Sequence, residues 1–239
     1  MCIRDRCYLK LRASLAILPV AGILIIGGVP VLAQEDTMTG DNMMEGDNMM
    51  AAYTFADITK AVVITDSSEF EKIRVSVGAD VPTDGTGGAF GYGVISSAGL
   101  EAIIVTTTHA GVKDSIAQVD AADPSFHNHY VALEDLADDA TCPGLQVRDI
   151  SYQEPGDVDV YGNSIVVEDA PYYFGATHSL SGDNISFNAD DMAGTVVSFT
   201  INPVDAEGNT SVTDIAAVCI NDVMAVDDPL IIPASYWED

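Results

Sequence analysis

Positive charge is what this chain has least of. Its 239 residues carry 9 Lys and Arg against 37 Asp and Glu, a formal net charge of −28. Nucleic acid and anionic membrane surfaces are bound through clustered Lys and Arg that neutralise phosphate, so this balance excludes both as partners. His-Asn-His at 127–129 is therefore not read as part of a nuclease. Histidine itself is scarce, with four in the chain, and so is cysteine, also four. A Gly-x-Ser-x-Gly elbow is missing as well. Around Ser179 the run is Gly175-Ala-Thr-His-Ser-Leu-Ser-Gly182, which does not support serine hydrolase chemistry. The glycine-rich stretch Gly85–Gly93 lacks dinucleotide-binding spacing and reads as a flexible loop entering a strand. No Asp-x-Asp-x-Asp-Gly loop occurs. Calcium would have to be gathered by the doublets Asp138-Asp139, Asp190-Asp191 and Asp227-Asp228 from separate turns.

The one long apolar run is near the start. Lys10 and Arg12 precede Leu15–Leu32, and Val31-Leu32-Ala33 then leads into Gln34-Glu35-Asp36. A basic flank, an apolar stretch and small residues before a cut site form a secretory signal peptide, so residues 1–33 are expected to direct export; a permanent membrane anchor is the competing reading, since about 20 apolar residues suffice to span. Within them, residues 1–6 resemble a translated sequencing-library adapter and are set aside from fold reasoning. The expected location is extracytoplasmic: secreted, periplasmic or cell-surface. There Cys142 and Cys219 have an oxidising environment and are expected to form a disulfide. Cys219 lies in the apolar run Ile215–Ile220, which suits a buried bridge. In the chain-entropy model such a bridge stabilises by roughly 4 kcal/mol.

Residues 34–52 read as an acidic, Met-rich disordered linker, with Gly40-Asp-Asn-Met-Met-Glu45 nearly repeated as Gly46-Asp-Asn-Met-Met-Ala51. Thioethers favour Cu(I), so Met43, Met44, Met49 and Met50 could form a copper-capturing arm; a plain tether is the competing reading. From Tyr53 onward the texture is β-rich. Expected strands cover residues 61–65, 72–77, 90–96, 100–107, 126–133, 145–152, 185–187, 195–201 and 211–220. A hairpin is expected to join 158–160 to 165–167 through Tyr161-Gly162-Asn163. Helical signals are poor. The expected fold is a single all-β domain over residues 53–239, an antiparallel β-sandwich of about ten strands, immunoglobulin-like or jelly-roll-like.

The sharpest chemical feature is the histidine cluster His109, His127 and His129, with His178 apart. In a strand, residues two apart face the same way, so His127 and His129 present two imidazoles to one side. The segment 110–126 could bring His109 alongside. Three neutral imidazoles plus water make a catalytic zinc pattern, and His178 or a carboxylate in place of water makes a closed or copper-like one. Asp114 and Asp123 are candidates to orient the rings from behind. The alternative is structural: both faces of 126–133 look buried, and the rings would hydrogen-bond carbonyls near Asp123-Pro124. A blue-copper site is excluded, because Met224 follows Cys219 but no histidine does. Two functions are carried forward. One is a binding or surface-interaction module for an unknown extracellular ligand or protein. The other is a zinc- or copper-dependent extracytoplasmic protein, a hydrolase, lyase or metal handler.

Overall fold

The computed structural model describes residues 54–137, 139, 141–189, 193–226 and 229–233. The expected signal peptide (1–33), the expected Met-rich linker (34–52) and Asp138, Asp190, Asp191, Asp227 and Asp228 lie outside them. Among the described residues there are thirteen strands and no α-helix, and so no helix long and apolar enough to cross a membrane.

Strands β1 (Ile58–Thr65), β2 (Glu69–Val77), β7 (Asp157–Tyr161), β8 (Ser164–Pro171) and β13 (Leu230–Pro233) form a five-stranded sheet in the order β13-β1-β2-β8-β7. All its pairs are antiparallel except β1 with β13. The second layer is β3 (Phe90–Ser96), β4 (Ile103–Thr108), β5 (His127–Leu136), β6 (Gly144–Ile150), β11 (Ala193–Val204) and β12 (Ala217–Val226). It closes on itself as an antiparallel barrel, β11-β12-β6-β5-β4-β3. A small hairpin, β9 (Tyr173–Thr177) with β10 (Asn184–Asn188), completes the set.

A six-stranded barrel thus stands where a flat second sandwich layer is expected, and the residues of β3 give a reason. Phe90, Tyr92 and Val94 point out of the barrel into the core shared with the five-stranded sheet. Alternation puts Gly91 and Gly93 on the inner face. A Cβ on Gly91 would lie 2.7 Å from the Thr106 carbonyl oxygen and 2.9 Å from the Phe199 ring. The bare backbone lets neighbouring strands approach and the sheet coil. Register shifts in β5–β6 and β11–β12 add bends.

The period of two therefore serves two cores at once. Outward-facing Tyr92, Ile104, Tyr130, Ala132 and Val196 pack with Phe70, Ile73, Val75 and Ile165 of the five-stranded sheet. Inward-facing Ile103, Val105, Val131, Leu133, Val197 and Phe199 form the barrel's own core. The two buried phenols satisfy themselves on backbone: Tyr92 Oη donates to the Phe55 carbonyl at 2.6 Å and Tyr130 Oη to the Pro171 carbonyl at 3.0 Å. Burial pushes both phenols well above their ordinary pKa.

Barrel closure has one narrow seam. Strands β6 and β12 meet through only two residue pairs, Cys219 with Gln146 and Ile220 with Leu145. Beside that seam Cys142 and Cys219 stand at disulfide-bonding distance, with Cα atoms 5.5 Å apart, and they pack with Val204 and Ala217.

Candidate metal centre

The site is assembled from the mouth of the barrel and one loop. His109 directly follows β4, His127 and His129 open β5, and Asp114 lies on the loop between the two strands. Thr107 pairs with His127 and Val105 with His129, so β4 and β5 bring the His-x-His face beside the end of β4. His127, His129 and His109 are 0%, 1% and 7% exposed.

Loop 110–126 delivers Asp114 because it is wired internally by Gln118. That buried amide accepts from the Asp114 and Ser115 backbone N–H groups through Oε1, at 3.0 and 3.2 Å. Its Nε2 donates to the carbonyls of Val112 and Asp123, each at 3.3 Å. Ser179 Oγ donates to the Asp114 carbonyl at 2.6 Å, and Ser115 Oγ to Glu154 Oε1 at 2.9 Å. Replacing Gln118 with Ala strands four backbone groups at once. The expected cost is about 2 to 3 kcal/mol, because buried unpaired donors and acceptors lose their hydration without replacement; urea denaturation measures it.

Four polar side chains then converge. His109 Nε2 and His127 Nε2 are 3.2 Å apart. Asp114 Oδ2 lies 3.2 Å from His109 Nε2, and Oδ1 lies 3.3 Å from His127 Nε2 and 3.7 Å from His129 Nε2. The proton positions follow from the outer nitrogens. His127 Nδ1 meets the Ser125 carbonyl at 2.8 Å, and His129 Nδ1 meets the Ser151 carbonyl at 2.6 Å. A carbonyl only accepts, so each Nδ1 carries the hydrogen. In the neutral rings both Nε2 atoms are then bare lone pairs facing the centre. This is the arrangement that orients an imidazole for metal ligation. His129 Nε2 and Asp114 Oδ1 are buried without any hydrogen-bond partner.

Electrostatics tells the same story. Burial opposes the charge on Asp114, but the adjacent His109 and His127 rings and the positive charge the rings can take up outweigh it and hold the carboxyl far below its usual range. Burial pushes His129 down to about 4. For His127 burial is likewise the largest influence and acts downward, yet Asp114 and the Ser125 carbonyl overcome it and raise the ring's pKa. In metal-free protein, NMR titration of the imidazoles is therefore expected to find His127 protonating above 6.5 and His129 remaining neutral down to about 4.

The His109, Asp114 and His127 group could hold a metal ion. His129 points its free nitrogen at the same carboxylate. Asp114, expected behind the rings, instead faces their Nε2 atoms directly. Asp123 acts one step further out: its carboxylate accepts from the Ser125 N–H at 3.0 Å, Ser125 Oγ at 2.6 Å and the Val119 N–H at 2.8 Å. It thereby fixes the residue whose carbonyl holds His127, and the Ser125 hydrogen bonds bring its carboxyl down to about 2. His178 is not brought in. Its Nδ1 accepts from the N–H groups of Leu180 and Ser181, and its Nε2 meets the Arg148 carbonyl at 3.4 Å, so it caps a turn. Asp139 similarly caps its own loop, accepting from the N–H groups of Thr141 and Cys142.

Gln118, Ser125 and Ser151 are the positioning residues that sequence reasoning missed. Two of them act through backbone carbonyls, which any residue type supplies, so no side-chain pattern marks them. No protein-family model, curated protein or solved structure matches this chain.

Proposed function

We propose that this is an extracytoplasmic metal-dependent protein that holds one first-row transition ion, zinc foremost, through His109, Asp114, His127 and His129. The observation carrying this reading is the pair of buried atoms without a hydrogen-bond partner, His129 Nε2 and Asp114 Oδ1, 3.7 Å apart beside the Nε2 atoms of His109 and His127. Leaving such atoms unpaired in a dry interior is costly, and a cation satisfies all of them together. The spacing supports it. Ligands about 2.0–2.1 Å from a tetrahedral zinc stand roughly 3.3–3.4 Å from one another; here four of the contacts run from 3.2 to 3.7 Å, and the ligand atoms of His109, Asp114 and His127 all lie within 4.8 Å of one another. Three imidazoles with one carboxylate suit zinc and its first-row neighbours better than calcium, which prefers an all-oxygen shell. The disulfide-distance cysteine pair agrees with an oxidising compartment.

Elemental analysis of chain expressed from Gln34, exported and purified without chelator, is expected to find about one zinc per chain. Cobalt exchanged into the site should give the visible absorption of a four- or five-coordinate ion. Substoichiometric metal after incubation with excess zinc, together with no cobalt spectrum, would overturn the reading.

A further inference from the structure

Side chains from all strands ordinarily fill so small a barrel. Here they leave a cavity of about 250 Å³. Dry apolar cavities smaller than this accept small hydrocarbons. The walls are aliphatic or aromatic, built from Ile103, Val105, Val131, Leu133, Val197 and Phe199. Polar groups concentrate at one end, where His109, Asp114 and His129 line the same space. Leu180, Val212 and Val223 also line it while being 54%, 44% and 44% exposed, so it reaches solvent beside each of them. The first two adjoin the loop of Asp114: Ser179, next to Leu180, donates to the Asp114 carbonyl, and the Val212 side chain lies against Gly111.

We propose that the barrel binds a medium-chain aliphatic carboxylate, with its tail among the apolar walls and its head as a fifth ligand on the ion at the mouth. The head-group half of this rests on the metal reading above; the tail half does not. Along β5 the inner face runs from His129 through Val131 to Leu133, about 14 Å at roughly 3.4 Å per residue, so a chain anchored at the histidines extends into the hydrophobic end. A peptide or sugar would bury many polar groups against walls that offer few partners, at the cost of their hydration. An apolar tail suffers no such loss. The head needs the ion, because a chain of net charge −28 repels free carboxylates and the bound cation supplies the local attraction.

The test uses exported, oxidised protein in metal-free and zinc-loaded forms, with zinc content measured on each sample. The neutral fluorophore N-phenyl-1-naphthylamine is expected to brighten on both forms. Decanoate should displace it from the zinc form at a concentration at least about tenfold lower than from the metal-free form. Leu133→Trp, which fills the deep end, should abolish fluorophore binding by both forms. Phe199→Ala, which enlarges the cavity, should shift preference from decanoate toward dodecanoate. It keeps the test decisive if the tryptophan variant does not fold. Folded protein that brightens no fluorophore in either form overturns the cavity proposal and leaves the metal reading standing. Equal displacement by decanoate with and without one bound zinc overturns the head assignment alone. Fluorophore binding by protein that takes up no zinc removes the metal reading and the head assignment, while the apolar cavity survives.

Discussion

Zinc added to the metal-free protein at about a hundred times its dissociation constant should stabilise the fold by about 2.7 kcal/mol, and His127→Leu/His129→Leu should erase that gain completely. For a domain of this size the gain is a rise in melting temperature of roughly 5–11 °C. The double variant is informative because it separates binding from folding. Both rings are almost fully buried and sit against a buried carboxylate. Without an ion, that arrangement places bare nitrogens and anionic oxygen within 3.2 to 3.7 Å of one another. Leucines at 127 and 129 keep the volume but leave the buried Asp114 carboxylate and the Ser125 and Ser151 carbonyls without their ring partners. The metal-free double variant is thus expected to melt lower than metal-free wild type, while zinc no longer moves it. If zinc raises the melting temperature of the double variant as much as that of wild type, the ion binds elsewhere.

The second large effect concerns the cysteines. Replacing Cys142 and Cys219 with Ala and Ser is expected to lower stability by about 4 kcal/mol in denaturant melts, the amount that closing a loop of this length removes from the unfolded chain's entropy. The location argues that the loss also has a structural address. Strands β6 and β12 share just two residue pairs, and the bridge lies beside them. Amide exchange in the variant should therefore accelerate first in β6 and β12, while β1, β2 and β8 keep their protection. Uniform acceleration across both layers would mean that the bridge acts on the unfolded chain alone.

The particular residues explain what could be read from the chain and what could not. The β class, the hairpin at Gly162-Asn163 and the common face of His127 and His129 follow from a period of two and a left-handed glycine, both local signals. Barrel closure does not. It depends on which strands meet after β12 leaves β11, a long-range choice that no short window encodes. Strand β12 is displaced from its expected span because Asn221-Asp222 looks like a turn. Asp222 instead adopts φ 49° at a register shift within the strand. Strand β13 ends in proline and pairs only at the sheet edge, where such residues are tolerated and their signal is weak. At the site, the three clustered histidines were visible as a group. Asp114 changed role, from supporting the rings to facing them, because the folding of loop 110–126 turns on one buried amide, Gln118. The fourth histidine, His178, shares only its residue type with the others.

Strand β5 has no spare face. His127, His129, Val131 and Leu133 belong to the mouth and lumen of the barrel, while Asn128, Tyr130 and Ala132 belong to the wall against the five-stranded sheet. Single substitutions can be absorbed on one side or the other. A one-residue insertion or deletion cannot, because it exchanges the two sides wholesale, sending imidazoles toward Phe70 and Ile165 and a phenol toward Asp114. Within this stretch, descendants of the gene are free to change letters but not to change frame by a single amino acid. Length between 127 and 133 should prove more invariant than identity at any one position except the histidines themselves.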